Sequence, residues 1–132
     1  MKNVKLISFI IENLSSDLLK PQYRERNREN SLWGHCYVAS EVFYHLSGGE
    51  NSAYSPYRMK VEVFGLATSH WFLKDEETQE IIDITAGQYD FEVDYTKAKR
   101  CSFLTKKPSK RAETVINRMA EKELIELNKS VK

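Results

Sequence analysis

Three residues of the chain have the types and the order that cysteine nucleophile chemistry needs: Cys36, His70 and Asp83. A thiolate can attack a carbonyl carbon, an imidazole can accept the thiol proton and later return it to a leaving group, and a carboxylate can orient the imidazole. A single cysteine is more often an inert small hydrophobe. The ordered combination of the three is what predicts a nucleophile site.

The residues after Cys36 predict the helix that must position its thiol. The apolar residues of this segment recur at helical spacing before a double-glycine stop: Val38, Ala39, Val42, Phe43 and Leu46. At about 100° per residue, Cys36 falls at the edge of this stripe, while Glu41 and His45 point away from it. The first turn of a helix presents N–H groups and the positive end of the dipole, which favour a thiolate. We expect Cys36 to face a cleft.

A hairpin is predicted to bring His70 and Asp83 together. The apolar and β-branched runs predict strands at about residues 58–65, 69–74 and 80–85. If residues 75–78 form the hairpin loop, Lys74 opposes Gln79 and His70 lies directly opposite Asp83. Opposed residues project from the same face of a sheet. The carboxylate is therefore expected within reach of the imidazole.

Two further helices are predicted on either side of these elements. Apolar residues at helical spacing from Val4 to Leu18 predict an amphipathic helix that ends before Pro21. Residues 22–31 are polar and charged, which indicates a surface loop. The last helix is predicted to begin at Ser109 as N-cap. Its inner side consists of apolar residues: Ala112, Val115, Ile116, Met119 and Ala120.

The segments WGHCYVASEVFYHL, HWFL and IIDIT resemble the papain-like and transglutaminase-like cysteine enzymes. In that superfamily a cysteine on a helix, a histidine on a strand and an Asp or Asn on the next strand form the catalytic triad. The order of the residues and the pattern around HW are similar to the transglutaminase-like branch. Small bacterial and phage proteins also share a GHC segment followed by HW and D-x-T. The resemblance covers residues 33–85.

The resemblance implies an α+β fold in which the helix that bears Cys36 packs on a small antiparallel sheet. Terminal helices complete a single domain over residues 1–132. It also implies a Cys36, His70 and Asp83 triad and a covalent acyl-Cys36. The expected activity is that of a thiol hydrolase or acyltransferase on an amide, isopeptide or thioester bond. The expected partner is a protein or peptide-like substrate, and no cofactor is expected.

Oxyanion donors and groove residues are also suggested by this resemblance. Papain-like enzymes place a Gln several residues before the cysteine, and here Asn30 occupies the position six before Cys36. An Asn amide can donate the same hydrogen bond, with Gln22 as a second candidate and the Cys36 N–H as a further donor. Three aromatic residues are candidates to line the groove, although aromatics beside a core are more often packing: Trp33, Tyr37 and Trp71.

Composition limits the other function classes. With 132 residues and 41% hydrophobic content, the chain can build one core. Its net charge of +1 gives no general reason to expect nucleic acid or a membrane surface as a partner. No apolar run approaches the roughly 20 residues of a membrane span. We expect a cytoplasmic protein with reduced cysteines, although a disulfide between Cys36 and Cys101 is left open.

Two alternatives come from different classes of protein. In a zinc-binding module, His35, Cys36, His70 and Asp83 would be the ligands, but adjacent His35 and Cys36 lack the usual ligand spacing. In a non-catalytic binding protein, the basic segment 97–111 would neutralise phosphates or an acidic partner, with Phe103 for stacking. An acidic segment at residues 75–94 opposes this reading, because it cancels the field, so nucleic acid is not expected as a partner.

Overall fold

A computed structural model describes residues 3–29, 32, 34–63 and 65–130. This part of the chain contains four α-helices and an antiparallel sheet of four strands. The helices are α1 (Val4–Glu12), α2 (Arg24–Glu29), α3 (Cys36–Leu46) and α4 (Lys110–Ser130). The strands are β1 (Tyr54–Val63), β2 (Leu66–Asp75), β3 (Ile81–Ile82) and β4 (Lys99–Arg100). The fold is therefore mixed α and β, as predicted.

The sheet has the order β3-β2-β1-β4, and β1 and β2 form its long central hairpin. Met59 of β1 lies opposite His70 of β2. Side chains alternate between the two faces of a strand, so His70 and Phe72 share one face while Trp71 and Leu73 share the other. The two faces are covered by different parts of the chain.

One face of the sheet carries the main hydrophobic core, together with α1, α3 and α4. Its centre consists of side chains with almost no solvent exposure: Ile10, Val42, Phe43, Leu73 and Val115. Burial of one such side chain contributes about 1.5–3 kcal/mol. Because α3 packs directly on β2, this core fixes the start of α3, and hence Cys36, relative to the strand that bears His70.

The opposite face carries a smaller core of Met59, Val61 and Phe72. The irregular segment 83–98 covers it, with Tyr89 and Tyr95 among the side chains that pack there. His70 lies on this face, so its imidazole is enclosed between the sheet and the covering segment. None of the helices in the described ranges is long and apolar enough to cross a membrane.

The register of the second hairpin differs from the predicted one. Lys74 pairs with Ile81 rather than with Gln79. The predicted direct opposition of His70 and Asp83 is therefore wrong. The difference is two positions along the partner strand, and a shift by an even number keeps every side chain on its face. His70 and Asp83 still share a face, but as diagonal neighbours.

The turn chemistry explains this register. Asp75 remains in the ladder, where its N–H donates to the Glu80 carbonyl at 2.9 Å. Its carboxylate accepts from the N–H groups of Glu77 at 2.8 Å and Thr78 at 3.1 Å. Gln79 closes the loop with a φ of 68°, in the left-handed region. An Asp side chain that bonds the backbone two residues on is a turn former, so the loop begins after Asp75.

The N-terminal region also differs from its prediction. The first helix ends at Glu12, well before Pro21, and the Asn13 side-chain amide donates to the Phe9 carbonyl at 2.7 Å. Local side-chain bonds of this kind compete with helix continuation. Leu18 still reaches the core through a separate 3₁₀ turn. The predicted surface loop at residues 22–31 instead contains α2.

The start of α4 is anchored by a residue that was expected to point away from the core. Glu41 is wholly buried and accepts hydrogen bonds from the Ser109 N–H at 2.9 Å and the Ser109 hydroxyl at 2.6 Å. Ser109 Oγ in turn accepts from the Ala112 N–H at 3.2 Å, which confirms Ser109 as the N-cap. Val115 and Met119 face the core as predicted, but Ala120 is exposed.

Candidate active site

Cys36 is the first residue of α3, and its thiol lies beside β2. The His35 carbonyl accepts from the Ala39 N–H at 2.8 Å, which closes the first turn. The Cys36 thiol donates to the Ser69 carbonyl at a sulfur–oxygen distance of 3.8 Å. Ser69 immediately precedes His70, so the helix start lies next to the part of the strand that carries the imidazole.

Just before Cys36, the chain passes close to Leu19. Gly34 has a φ of 84°, and a Cβ at this position would lie 2.9 Å from Leu19 Cδ2. Only glycine adopts such a conformation at no steric cost. Leu19 is itself buried. The backbone that leads into Cys36 is therefore held against the segment that joins α1 to α2.

The imidazole of His70 contacts the carboxylate of Asp83. Nε2 lies 2.7 Å from Asp83 Oδ2, with the His70 side chain wholly buried and that of Asp83 4% exposed. A carboxylate can only accept in such a bond when ionised, so Nε2 carries the proton. Nδ1 is then the ring nitrogen left to exchange a proton with a thiol.

The pKa of His70 reports the proximity of Cys36. Burial lowers this pKa, but hydrogen bonding to Asp83 and Cys36 and the negative charges of both raise it to about 9. Nδ1 nevertheless has no hydrogen bond of standard geometry to any described residue. The Cys36 thiol therefore affects the imidazole without a hydrogen bond of standard geometry to Nδ1.

Two tyrosines from the covering segment complete the surroundings of His70. The Tyr95 hydroxyl donates to Asp83 Oδ2 at 2.7 Å, and its ring packs edge-on against Phe72. The Tyr89 ring lies edge-on to His70, with centroids 5.0 Å apart. Burial raises the pKa of both phenols most, followed by nearby negative charges for Tyr89 and by the hydrogen bond to Asp83 for Tyr95, so both stay neutral. Neither tyrosine could be predicted from the sequence, because the segment 83–98 has no regular period.

A cavity of about 620 Å³ opens at Cys36. This volume is in the usual range for a small-ligand site. The Cys36 side chain is only partly buried, whereas the side chains of His70 and Asp83 are enclosed behind it. The residues that line the cavity come from five parts of the chain: Leu19, Lys20, Gln22, Tyr23, Gly34, Cys36, Val63, Thr68, Ser69, Gln88, Tyr89 and Arg111.

The predicted oxyanion donors are partly accounted for. Asn30 lies outside the described residues, as does Trp33. Gln22 lines the cavity together with Cys36. The N–H groups of a first helical turn have no partner within the helix, so the Cys36 N–H is available as a second donor.

Gln88 also lines the cavity, and it was not predicted. Its side-chain amide donates to Thr85 Oγ1 at 3.0 Å, and its carbonyl oxygen accepts from the Gly34 N–H at 3.5 Å. Gln88 thus links the loop before Cys36 to the segment that follows Asp83. No feature of its sequence surroundings signals this role.

Tyr37 and Trp71 belong to an aromatic cluster with Phe103 rather than to the cavity. Their ring centroids are 4.8 Å apart, and Trp71 stacks on Phe103 at 5.6 Å. The Tyr37 hydroxyl accepts from the Leu104 N–H at 2.8 Å. Neither residue is among those that line the cavity at Cys36. Their placement is that of packing residues, so the groove role expected for them does not fit this geometry.

His35 is buried beside Cys36 and is held neutral. Its Nε2 lies 3.3 Å from Asn27 Nδ2. Burial, and then the positive charge of Arg111, lower its pKa to about 4. Within the described ranges, no three His, Cys, Asp or Glu side chains are grouped as metal ligands would be. His35 thus connects the start of α3 to α2 through its contact with Asn27.

Cys101 lies elsewhere, and both cysteines are free thiols. The disulfide left open by the sequence is therefore absent. Burial raises the pKa of the Cys101 thiol, whose sulfur donates to the Pro56 carbonyl at 3.8 Å.

Comparisons of the chain with protein-family models, with curated proteins and with solved structures find no match. What the site can do follows from its own geometry.

Proposed function

We propose that the protein is a cysteine-dependent hydrolase or acyltransferase that acts on an amide, isopeptide or thioester bond through a covalent acyl-Cys36. One observation supports this most strongly. The buried His70 contacts Asp83 through Nε2 at 2.7 Å, and its pKa is raised by Asp83 and by a thiol that opens on a cavity. A nucleophile, a base and a group that orients the base are the parts that covalent catalysis requires.

Acylation follows from these positions. Because the pKa of His70 is raised to about 9, Nδ1 already holds the proton of Cys36 below that pH, and the imidazolium donates through Nε2 to Asp83. The thiolate attacks the carbonyl carbon of the acyl donor and forms a carbon–sulfur bond. The carbonyl electron pair moves to oxygen and returns as the bond to the leaving group breaks. His70 gives its Nδ1 proton to that group, so proton and charge balance.

Deacylation reverses these roles. Water or an amine loses a proton to Nδ1 of His70 and attacks the thioester carbon. The carbon–sulfur bond breaks, and the Cys36 sulfur leaves as thiolate beside the imidazolium, which restores the starting pair. The product is a carboxylic acid when water attacks and an amide when an amine does.

Oxyanion stabilisation would come from the cavity wall. The Cys36 N–H at the start of α3 is one donor, and the Gln22 side chain on the same cavity is the other. Removal of one donor from such a site costs about 10²–10³ in rate.

We further propose that the fold is papain-like or transglutaminase-like. This proposal is supported by the placement of Cys36 at the start of a helix that packs on an antiparallel sheet and of His70 on a central strand. The basic segment 97–111, in contrast, makes contacts within the fold. Phe103 is packed against Trp71, and part of the segment forms β4, in which Arg100 pairs with Tyr57 of β1. These contacts do not favour a nucleic-acid surface.

Intact mass spectrometry tests the proposal directly. The folded protein is incubated with an aryl thioester of acetyl-glycine, and the mass of the adduct is followed. We expect one acyl group, absent in Cys36→Ala and retained in Cys101→Ala, with slower acylation in His70→Gln. Circular dichroism establishes that each variant is folded. Equal labelling of the two cysteines, or no labelling at Cys36 in the folded protein, would remove the basis of the proposal.

A further inference from the structure

The cavity at Cys36 is positively charged. Among the described residues that line it, Lys20 and Arg111 carry charge and none is acidic. Both are exposed, and neither forms an ion pair within the described part of the chain. Charges of one sign in a cleft with low-dielectric walls focus the field and raise the local concentration of an oppositely charged ligand.

An acid beside these cations forms no ion pair with either of them within the described residues. Lys20 and Arg111 also line a shallow depression that adjoins the cavity and contains Asp17. Asp17, however, is paired with Arg118 at 2.6 Å. The two cations of the cleft are therefore available to a ligand.

Both cations stand on anchored backbone. Lys20 follows Leu19, which is buried and closely approached by Gly34. Arg111 lies in the first turn of α4, which the Glu41–Ser109 hydrogen bonds fix. The positive charge of Arg111 contributes to the lowered pKa of His35, which is the N-cap of α3. Arg111 therefore acts electrostatically on the start of this helix.

We propose that Lys20 and Arg111 form an anion-recognition site of the Cys36 cleft, and that the acyl donor is an acidic peptide that carries a carboxylate beside the bond to be cleaved. This inference rests on the proposed function of Cys36 and names the substrate class of the same site. Arg111 can bind a carboxylate in a bidentate manner, while Lys20 acts as a point charge.

Alkylation of Cys36 by a matched pair of reagents tests the inference. The Cys36 thiolate displaces iodide from iodoacetate and from iodoacetamide and gains nearly the same group, but only iodoacetate is an anion. The rate of Cys36 alkylation by iodoacetate, divided by the rate with iodoacetamide, measures the local electrostatic potential. In Lys20→Gln/Arg111→Gln we expect this ratio to fall about fivefold, the size of effect that exposed charges produce. Lys106→Gln/Lys107→Gln removes two exposed lysines outside the cavity and should leave the ratio as it is.

Peptide probes then test the substrate class. Three acetyl-dipeptide chloromethyl ketones differ only in whether Glu, Gln or Lys precedes the reactive residue. We expect inactivation in the order Glu, Gln, Lys, with the preference for Glu reduced at high salt, because screening shortens the Debye length to about 3 Å at 1 M.

The outcomes separate the two proposals. Rapid alkylation of Cys36 that slows in His70→Gln would support the nucleophile. If the reagent ratio were then the same in all variants and the peptides reacted at equal rates, the anion site would be overturned while the nucleophile stands. A Cys36 no more reactive than Cys101 toward iodoacetamide would overturn both. A lowered ratio in the Lys20 and Arg111 variant, together with the Glu preference, supports the inference.

Discussion

The Tyr95 hydroxyl donates a 2.7 Å hydrogen bond to Asp83 Oδ2, the same oxygen that His70 Nε2 contacts. Tyr95 follows Asp83 by twelve residues and belongs to the segment that covers this face of the sheet. Two donors on one oxygen hold the carboxylate in place, and through it the imidazole. We infer that Tyr95 is a positioning residue, because it acts on Cys36 only through Asp83 and His70.

Tyr95→Phe should slow the alkylation of Cys36 by iodoacetamide and shift its pH dependence. The loss of a hydrogen bond to a charged group costs about 1.5–3 kcal/mol, and the imidazole loses an element of its orientation. The measurement is the rate of Cys36 alkylation as a function of pH, followed by intact mass.

Tyr57→Phe is a matched control for this change. Its hydroxyl donates to Glu76 Oε1 at 2.7 Å, and its ring also packs on Phe72, but it contacts neither Asp83 nor His70. The pH profile of Cys36 should therefore stay as in the native protein. If both phenylalanine variants changed the profile alike, the effect would be general loosening of the small core rather than positioning of His70.

The titration of two histidines should differ widely. His70 is expected to lose its proton only near pH 9, and His35 to gain one only near pH 4. Both values are far from the ordinary 6.5, in opposite directions, because His70 has negative partners and His35 has burial and a cation. Ring resonances followed by two-dimensional NMR across this range check both, with His35→Gln and His70→Gln for assignment. A His70 that titrates near 6.5 would contradict its contact with Asp83 and Cys36.

The sequence predicted the elements of the site better than their contacts. The helix start at Cys36 and the strand at His70 follow from periodicity, which local sequence encodes. The pairing of His70 with Asp83 survived a wrong register only because the shift was even. Tyr95 and Gln88 could not be predicted, because they reach the site through an irregular segment whose path depends on tertiary packing.

The position of Glu41 shows where helical periodicity fails as a predictor of burial. Its angle on α3 predicted that it points away from the apolar stripe, but α4 packs against α3 and Glu41 is buried. A buried carboxylate needs donors, and Ser109 provides two from a distant part of the chain. Periodicity describes one element at a time, so it cannot identify a face that a second helix covers.

His35 should make the protein sensitive to acid. Its folded pKa of about 4 is below the unfolded value of 6.5, so its contribution to stability is fully present above pH 6.5 and is lost as the pH falls toward 4. The slope from one proton is at most about 1.4 kcal/mol per pH unit. Urea unfolding at several pH values should show a shallower slope in His35→Gln. An unchanged slope would mean that other groups control acid unfolding.

His70 should act in the opposite direction at alkaline pH. Its folded pKa of about 9 is above the unfolded 6.5, so its contribution is fully present below 6.5 and is lost as the pH rises through 9. The free energy of unfolding should therefore fall over this window, and less so in His70→Gln. A fall of the same size in both proteins would assign the alkaline effect to other residues.

The buried contact between Glu41 and Ser109 should contribute to the free energy of unfolding. Glu41→Ala removes the acceptor for two donors of Ser109, and we expect a loss of about 2–3 kcal/mol in the free energy of unfolding. Ser109→Ala should cost about 1–2 kcal/mol, because it removes the N-cap of α4 as well as one donor to the buried carboxylate. In the double variant, the total loss should be smaller than the sum of the two single losses by about 1 kcal/mol, because both changes remove the hydrogen bond from the Ser109 hydroxyl to Glu41.

Glu41→Ala combined with Tyr57→Phe is the control pair, since these residues share no partner and should be additive within about 0.5 kcal/mol. Because Ser109 fixes the turn that carries Arg111, Glu41→Ala should also lower the ratio of iodoacetate to iodoacetamide reactivity at Cys36. Additive losses for Glu41→Ala and Ser109→Ala would show that the contact does not hold the start of α4. An unaltered reagent ratio in a folded Glu41→Ala variant would separate the position of Arg111 from this buried carboxylate.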